Sequence, residues 1–141
     1  LVKDIPPGSP RFLHSVRDDG AGNYSVAGPD PYIEFDISDW KLNGSDAGML
    51  TFNFACMGAS GKPQLEIYWG SNATGPNEST MVRFVAEDGP LLVPLDAAPR
   101  WLQAKEINSL RFDIADPASC KAFAITNIQL WQRNITEKGI K

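Results

Sequence analysis

The chain has 141 residues, enough for one domain, and a hydrophobic content of 43% to fill its core. Its formal net charge of −4, from 13 Lys and Arg against 17 Asp and Glu, excludes the clustered basic surface that nucleic acid or an anionic membrane demands. No apolar run is long enough to read as a transmembrane segment.

Residues 4–10, with Pro6-Pro7-Gly8, read as an extended lead-in. Residues 11–17 suit a first edge strand, and Asp18-Asp19-Gly20 with Gly22 suits a turn. A strand over 24–26 is broken by Gly28-Pro29-Asp30-Pro31 and resumes over 32–37. There Ile33, Phe35 and Ile37 alternate with Tyr32, Glu34 and Asp36. Period-two alternation gives a strand one buried face and one wet face. Residues 39–46 form a polar loop holding Trp40.

The next strand, 48–57, sends Leu50, Phe52, Phe54 and Cys56 inward and Thr51, Asn53 and Ala55 outward. A turn over 58–63 leads to 64–69, where Leu65, Ile67 and Trp69 oppose Gln64, Glu66 and Tyr68. A soft loop over 70–78 precedes a strand over 79–86. Glu87-Asp88-Gly89 is a hairpin signal that pairs it with 91–95. Pro94 and Pro99 restrict that last piece to an edge or a short run. Residues 101–106 are the one helical or irregular stretch.

Across 107–115, Leu110, Phe112 and Ile114 alternate with Arg111 and Asp113. Asp116-Pro117-Ala118-Ser119 turns the chain into a final strand over 121–132. A bulge is expected near Asn127, because inward parity changes from Phe123 and Ile125 to Ile128 and Leu130. The tail over 134–141 reads as frayed.

About eight short strands with almost no helical signal predict an all-β fold, an antiparallel two-sheet β-sandwich of jelly-roll type. The chain reads as one such domain, residues 1–141, cut from a larger protein. An immunoglobulin-type sandwich is the alternative. Its signature fits poorly, because Trp69 follows Cys56 too closely. Cys56 and Cys120 either pair across the sandwich or sit as free buried thiols. Asn23, Asn43, Asn72, Asn77 and Asn134 head N-x-S/T triplets, which suit a secreted protein or arise by chance in Asn-rich loops.

Catalytic signatures are lacking. His14 is the one histidine, and no G-x-S-x-G elbow accompanies it. One His and two distant Cys do not make a zinc site, and neither a P-loop nor G-x-G-x-x-G occurs. Glu34, Glu66 or Asp113 could supply paired carboxylates for glycoside hydrolysis, but nothing selects a pair. No cofactor is expected. Structural calcium is the one option, through the loop acids Asp18, Asp19, Asp39 and Asp116, which equally suit solvated turns.

What remains is the outward parity set: Asn53, Glu66, Tyr68, Arg83, Arg111 and Asp113. Sugars present hydroxyl edges and an apolar C–H face. Glu66, Arg83, Arg111 and Asp113 suit the hydroxyls, and Tyr68 suits the ring. The same side chains also suit cross-strand charge pairs on a solvated sheet. Trp40 and Trp101 fall in loop-like segments, as ligand contacts or core plugs. Trp69 reads as core, and Trp131 as a cap on the sandwich.

Several phrases resemble a known family. Gly28-Pro29-Asp30-Pro31-Tyr32-Ile33-Glu34-Phe35-Asp36 resembles the "dPyi.fd" opening of sandwich domains appended to bacterial glycosyltransferases of surface-polysaccharide and O-antigen assembly. Gln64-Leu65-Glu66-Ile67-Tyr68-Trp69 resembles their "q.yw" strand, and residues 78–84 the "f.e...vrf" strand after it. Leu110-Arg111-Phe112-Asp113 and residues 125–130 resemble "lRldp" and "i..i.l". The resemblance covers roughly residues 24–132. It implies a galactose-binding-like sandwich, similar to carbohydrate-binding modules, on a glycosyltransferase such as a mannosyltransferase. Catalytic residues would then lie elsewhere in the parent chain, and this piece would be inactive alone.

Two functions are open at this point. One is a carbohydrate-binding accessory domain, with an oligosaccharide or polysaccharide and the parent catalytic domain as partners. The other is an interaction or scaffolding sandwich that packs on its parent enzyme through Trp40, Trp101 and the 70–78 loop. The expected location is the bacterial cytoplasm, with the inner-membrane face as one setting within it. The N-x-S/T triplets point instead to an extracellular one.

Overall fold

The computed structural model describes residues 3–5, 10, 12–58 and 62–132. Pro6-Pro7-Gly8 of the lead-in, Asn134 and the tail lie outside the described residues. Eleven strands run through the described residues. They are β1 (Lys3–Ile5), β2 (Phe12–His14), β3 (Val16–Asp18), β4 (Asn23–Val26), β5 (Tyr32–Asp36), β6 (Met49–Met57), β7 (Gln64–Gly70), β8 (Met81–Val85), β9 (Gly89–Pro94), β10 (Ser109–Ile114) and β11 (Ala122–Trp131). One short helix, α1 (Pro99–Leu102), follows β9. The strands form two antiparallel sheets. One has the order β3-β4-β11-β6-β9, with β1 also paired to β11; the other has the order β2-β5-β10-β7-β8. The fold is the antiparallel two-sheet sandwich that the alternation predicts.

The strand count exceeds eight for three reasons. The strand read as broken after 24–26 and resumed over 32–37 is two strands, β4 and β5, in opposite sheets. Lys3–Ile5 pairs with Ile128–Leu130 of β11, a contact that no local pattern announces. The run over 11–17 is two strands in opposite sheets, because Ser15 takes a positive φ of 57° and turns the chain from one layer to the other. The expected hairpin at Glu87-Asp88-Gly89 is likewise a corner between layers. β8 pairs with β7 in one sheet, and β9 pairs with β6 in the other. Gly89 supplies a φ of 118° there, and the Asp88 carboxylate accepts the Cys56 N–H at 2.9 Å, tying the corner to β6. The bulge in β11 falls where parity places it. Its register against β6 shifts between Thr126 and Gln129, and Asn127 has φ 56°.

The inner faces meet through aromatic edges. Phe112 of β10 receives Phe52 of β6 at 5.3 Å and Phe35 of β5 at 5.9 Å, both near perpendicular. Such pairs are worth about 1 kcal/mol each beyond their buried area. Trp69 meets Trp101 of α1 edge to face at 5.4 Å. Trp101 is fully buried, and its indole N–H donates to the Ala47 carbonyl at 2.8 Å. It closes one end of the core, so it is not available as a ligand contact. Trp40 is half-buried against the same core. Trp131 lies beside Thr51, to whose hydroxyl it donates at 2.8 Å, so it covers a sheet rather than capping the sandwich.

Cys56 and Cys120 form a disulfide with a Cα separation of 5.5 Å. It does not cross the sandwich. It joins β6 to the lead-in of β11, two neighbours in one sheet, and no cysteine among the described residues is free. Closing 64 residues of chain restricts the unfolded state by about 4 kcal/mol in the chain-entropy picture. Replacing both cysteines by serine should lower the unfolding free energy by about 2–5 kcal/mol in a urea titration. An unchanged midpoint would mean that the bond constrains nothing the sheet does not already hold. Gly44 tests the end plug, because a Cβ there would overlap the Trp101 carbonyl. Gly44→Ala should cost about 1–3 kcal/mol and lower the melting temperature, without changing the strand spectrum.

Candidate functional site

The outer face of the β2-β5-β10-β7-β8 sheet carries the unusual chemistry. Strand pairing brings distant residues into rows. Asp113 lies opposite Tyr32 on one side and Glu66 on the other, and Glu66 lies opposite Arg83. Arg111 lies opposite Glu34 and Tyr68. The expected residues Glu66, Tyr68, Arg83, Arg111 and Asp113 therefore share one face on three adjacent strands. Asn53 does not join them. It is exposed on β6, in the other sheet. Parity states whether a side chain points in or out, not which layer it belongs to.

Arg111 is the centre of the face. Its guanidinium carbon sits 4.2 Å from the Tyr32 ring centre and 4.5 Å from that of Tyr68. Each such cation–π contact is worth about 0.5–2 kcal/mol, more as water is excluded. Nε and Nη2 donate to the two carboxylate oxygens of Asp113 at 2.8 and 2.9 Å, a bidentate bond that fixes the guanidinium plane. Residues two apart on a strand point the same way, which is what lets Arg111 reach Asp113. His14 of β2 stacks on Tyr32 at 4.8 Å with 7° between planes. The four flat groups thus form one pile, His14, Tyr32, Arg111, Tyr68, spaced like the strands that carry them.

The carboxylates of this face are buried without being neutral partners in a core. Glu66 is 9% exposed, and its Oε2 accepts from Arg83 Nε at 2.7 Å while its Oε1 accepts from the Tyr68 hydroxyl at 3.4 Å. The Glu66 hydrogen bond and charge hold the Arg83 guanidinium more firmly protonated. Asp113 is 4% exposed. Burial pushes its carboxyl up to about 6; Arg111 pulls it down, while Asp30 and Glu66 repel its charge. Burial also raises the Tyr68 phenol, with Glu66 and Asp113 adding to it.

A groove of about 330 Å³ opens beside the pile, lined by Phe12, Glu34, Asp36, Pro76, Asn108 and Ser109. A second hollow of about 230 Å³, reaching Lys41, Asn72 and Glu106, shares Ser38 and Asn108 with it. The hollowed surface therefore extends beyond the charged rows. Tyr32 was legible in the alternation of 32–36, although its place beside Arg111 was not. Phe12 and Ser109 carried no local signal. The loop acids act within their own turns. Asp18 accepts from Gly20, Asp19 from Ala21 and Asn23, and Asp116 from Ala118. Among the described residues no group of three His, Cys, Asp or Glu side chains is placed to hold a metal ion.

Neither a protein-family model nor a curated protein sequence matches the chain. Solved structures do. The low-affinity xylan-binding module CBM86 from Roseburia intestinalis is similar over 86% of this chain and 88% of that one, with a TM-score of 0.57 and 13% identity. The chain shares the β-sandwich fold of that module. The family 11 carbohydrate-binding module from Clostridium thermocellum, solved with a β-1,3-1,4-mixed-linked tetrasaccharide, matches at TM-score 0.50 and 15% identity, over 85% of this chain and 80% of that one. Xylanase10C from Cellvibrio japonicus, solved with xylopentaose, matches at 0.57 and 7% identity, over 92% of this chain and 28% of that one. At these identities the likeness is one of fold.

The Asp113 carboxyl gives the site a measurable signature. Its folded value of about 6 lies above the ordinary 3.8, so the folded state binds its proton more tightly. Its contribution to stability therefore grows as pH falls through 6 and is lost as pH rises above it. Wild type should gain about 1 kcal/mol over Asp113→Asn between pH 7 and pH 5, read from urea titrations at both values. Parallel curves for the two proteins would show that Asp113 titrates as an ordinary surface acid.

Proposed function

We propose that this domain is a non-catalytic glycan-binding module and that the outer face of β2-β5-β10-β7-β8 is its binding face. Arg111 carries the reading. Two of its five N–H donors are committed to Asp113, its planar faces are held by Tyr32 and Tyr68, and the side chain is still 22% exposed. Three N–H donors remain on the rigidly held guanidinium, two of them the parallel pair across Nη1 and Nη2. Adjacent sugar hydroxyls accept such a pair, and the clamp has already removed the rotamer freedom that binding would otherwise cost. Asp113 neutralises most of the charge, which suits a polyhydroxyl ligand better than a free anion.

Attached to a catalytic domain, such a module would keep polymer near the active site by raising its effective concentration. The sequence resemblance favours a bacterial glycosyltransferase of surface-polysaccharide assembly as that parent, and the likeness to a xylanase structure offers a hydrolase as the other carbohydrate-active parent. The Cys56–Cys120 bond supports an oxidising, extracytoplasmic setting over the bacterial cytoplasm. The interaction-domain reading loses Trp101, which is buried, and keeps Trp40, which is half-buried; among the described residues the exposed apolar side chains Phe12, Leu13, Met57, Val85, Leu92 and Leu102 are spread over five elements, with Phe12 and Leu13 adjacent on β2.

Titration calorimetry with xylan, mixed-linked β-glucan and mannan tests the proposal. Wild type should bind at least one of them. Arg111→Lys keeps a charge for Asp113 but loses the planar fork, and should weaken that binding by about tenfold or more. Silence of wild type across neutral polysaccharides would end the glycan-binding reading.

A further inference from the structure

We infer that the hollow lined by Lys41, Glu106 and Asn108 is a second subsite, which takes one uncharged, hydroxyl-bearing sugar unit of a glycan whose other units reach Arg111. The inference rests on the glycan-binding reading above and adds to it a place, a residue set and a ligand class. The place follows from the sheet. Asp36 of β5 and Gly70 of β7 both lie opposite Ser109 of β10, so the β5–β6, β7–β8 and β9–β10 connections meet at one end of the sheet. They are tied to one another there. Leu42 bridges Ile107, whose N–H donates to the Leu42 carbonyl at 2.7 Å. The Glu106 N–H donates to the Asn43 Oδ1 at 3.0 Å, and the Asn72 Nδ2 donates to the Glu106 Oε2 at 2.9 Å. The hollow of about 230 Å³ opens among these three loops.

Two of the lining residues hold a backbone conformation that side chains disfavour. Lys41 has φ 53° and Glu106 has φ 49°, the left-handed region in which Cβ crowds the following carbonyl. Lys41 closes the Ser38–Trp40 turn, its N–H donating to the Ser38 carbonyl, a position at which glycine is the usual residue. Four non-glycine residues have positive φ among the described residues, and two of the four line this one hollow. A lysine and a glutamate kept where glycine would relieve the backbone indicate a role for the side chains themselves. That role is not a mutual one, because no ion pair joins the two. Among the described residues the Lys41 ammonium and the Asn108 side-chain amide make no hydrogen bond or ion pair, and the Glu106 Oε1 is uncommitted. Three polar groups from two loops thus converge on one hollow with capacity to spare.

The chemistry of the hollow names the ligand class. Lys41 only donates, Glu106 only accepts, and the Asn108 amide does both. A sugar hydroxyl also donates and accepts, so neighbouring hydroxyls on one ring satisfy the ammonium and the carboxylate together. A uronate would set its own charge against Glu106. The volume is below that of drug-sized sites and suits one ring rather than a chain. The hollow shares Ser38 and Asn108 with the groove beside the Arg111 pile, which makes the path between them continuous. Along β10, three residues at a rise of about 3.4 Å put roughly 10 Å between Arg111 and Asn108. One ring cannot touch both, whereas an oligosaccharide can.

Calorimetry on the full chain with xylo-oligosaccharides, mixed-linked gluco-oligosaccharides and oligogalacturonates of three to six units decides the matter. Wild type should bind a neutral hexasaccharide about fivefold or more tighter than the trisaccharide of the same series. Lys41→Gly, Lys41→Met and Glu106→Gln should each lose most of that gain and leave trisaccharide affinity within about twofold. Lys41→Gly should also melt at the wild-type temperature or above it, because glycine relieves the left-handed backbone. If Arg111→Lys weakens the hexasaccharide while none of these three variants does, the subsite is wrong and the glycan-binding reading stands. A lower melting temperature for Lys41→Gly would show that the lysine holds its loop rather than a ligand, and overturns the inference. Tighter binding of the oligogalacturonate than of the neutral chains overturns the ligand class. No binding of any glycan by wild type overturns both readings.

Discussion

Strand β10 carries the core and the candidate site on opposite faces of the same six residues. It lies in the middle of its sheet, between β5 and β7. Leu110, Phe112 and Ile114 enter the core, and Ser109, Arg111 and Asp113 stand on the outer face. With a side-chain period of two, neither set can move without the other. A register slip of one residue would drive the Arg111–Asp113 pair into the Phe35–Phe52 cluster and lift Phe112 into water. The aromatic edges around Phe112 therefore fix the site as firmly as they fix the fold.

That coupling explains how charged groups survive so little exposure. Removing water from Asp113 and Glu66 is unfavourable by itself. Each is offset by an arginine on the same face, Arg111 through a bidentate bond and Arg83 from the neighbouring strand. The tyrosines on β5 and β7 complete the arrangement by covering both faces of the Arg111 guanidinium. The result is a preorganised polar surface rather than a loose set of solvated side chains. Preorganisation of this kind lowers the entropy that any ligand binding there would cost. The same desolvation pushes the Asp113 carboxyl up to about 6.

The rest of the chain serves to hold two layers in place. Ser15 and the Glu87-Asp88-Gly89 corner pass the chain between sheets, so that β2 and β8 can form the two edges of the β2-β5-β10-β7-β8 sheet. The disulfide fastens β6 to the start of β11 in the opposite sheet. Trp101 plugs the end at which Gly44 and Ala47 make room for it. The disulfide lies in the opposite sheet, away from the polar face, while Ser15 adjoins that face through His14.

The sequence by itself determined the class of fold, the inward residues of most strands and the bulge at Asn127, because each depends only on local alternation. It also determined that Glu66, Tyr68, Arg83, Arg111 and Asp113 point outward. Tertiary structure alone decided which outward residues meet. Parity is blind to layer, so Asn53 looked like a companion of Glu66 until the sheets were known. Layer-crossing corners look like strands or hairpins locally, which hid the split at Ser15 and the parting of β8 from β9. The pairing of Cys56 with Cys120, the burial of Trp101 and the occupied faces of Tyr32 are equally non-local. Each depends on which strands become neighbours, and that choice is made by the whole core at once.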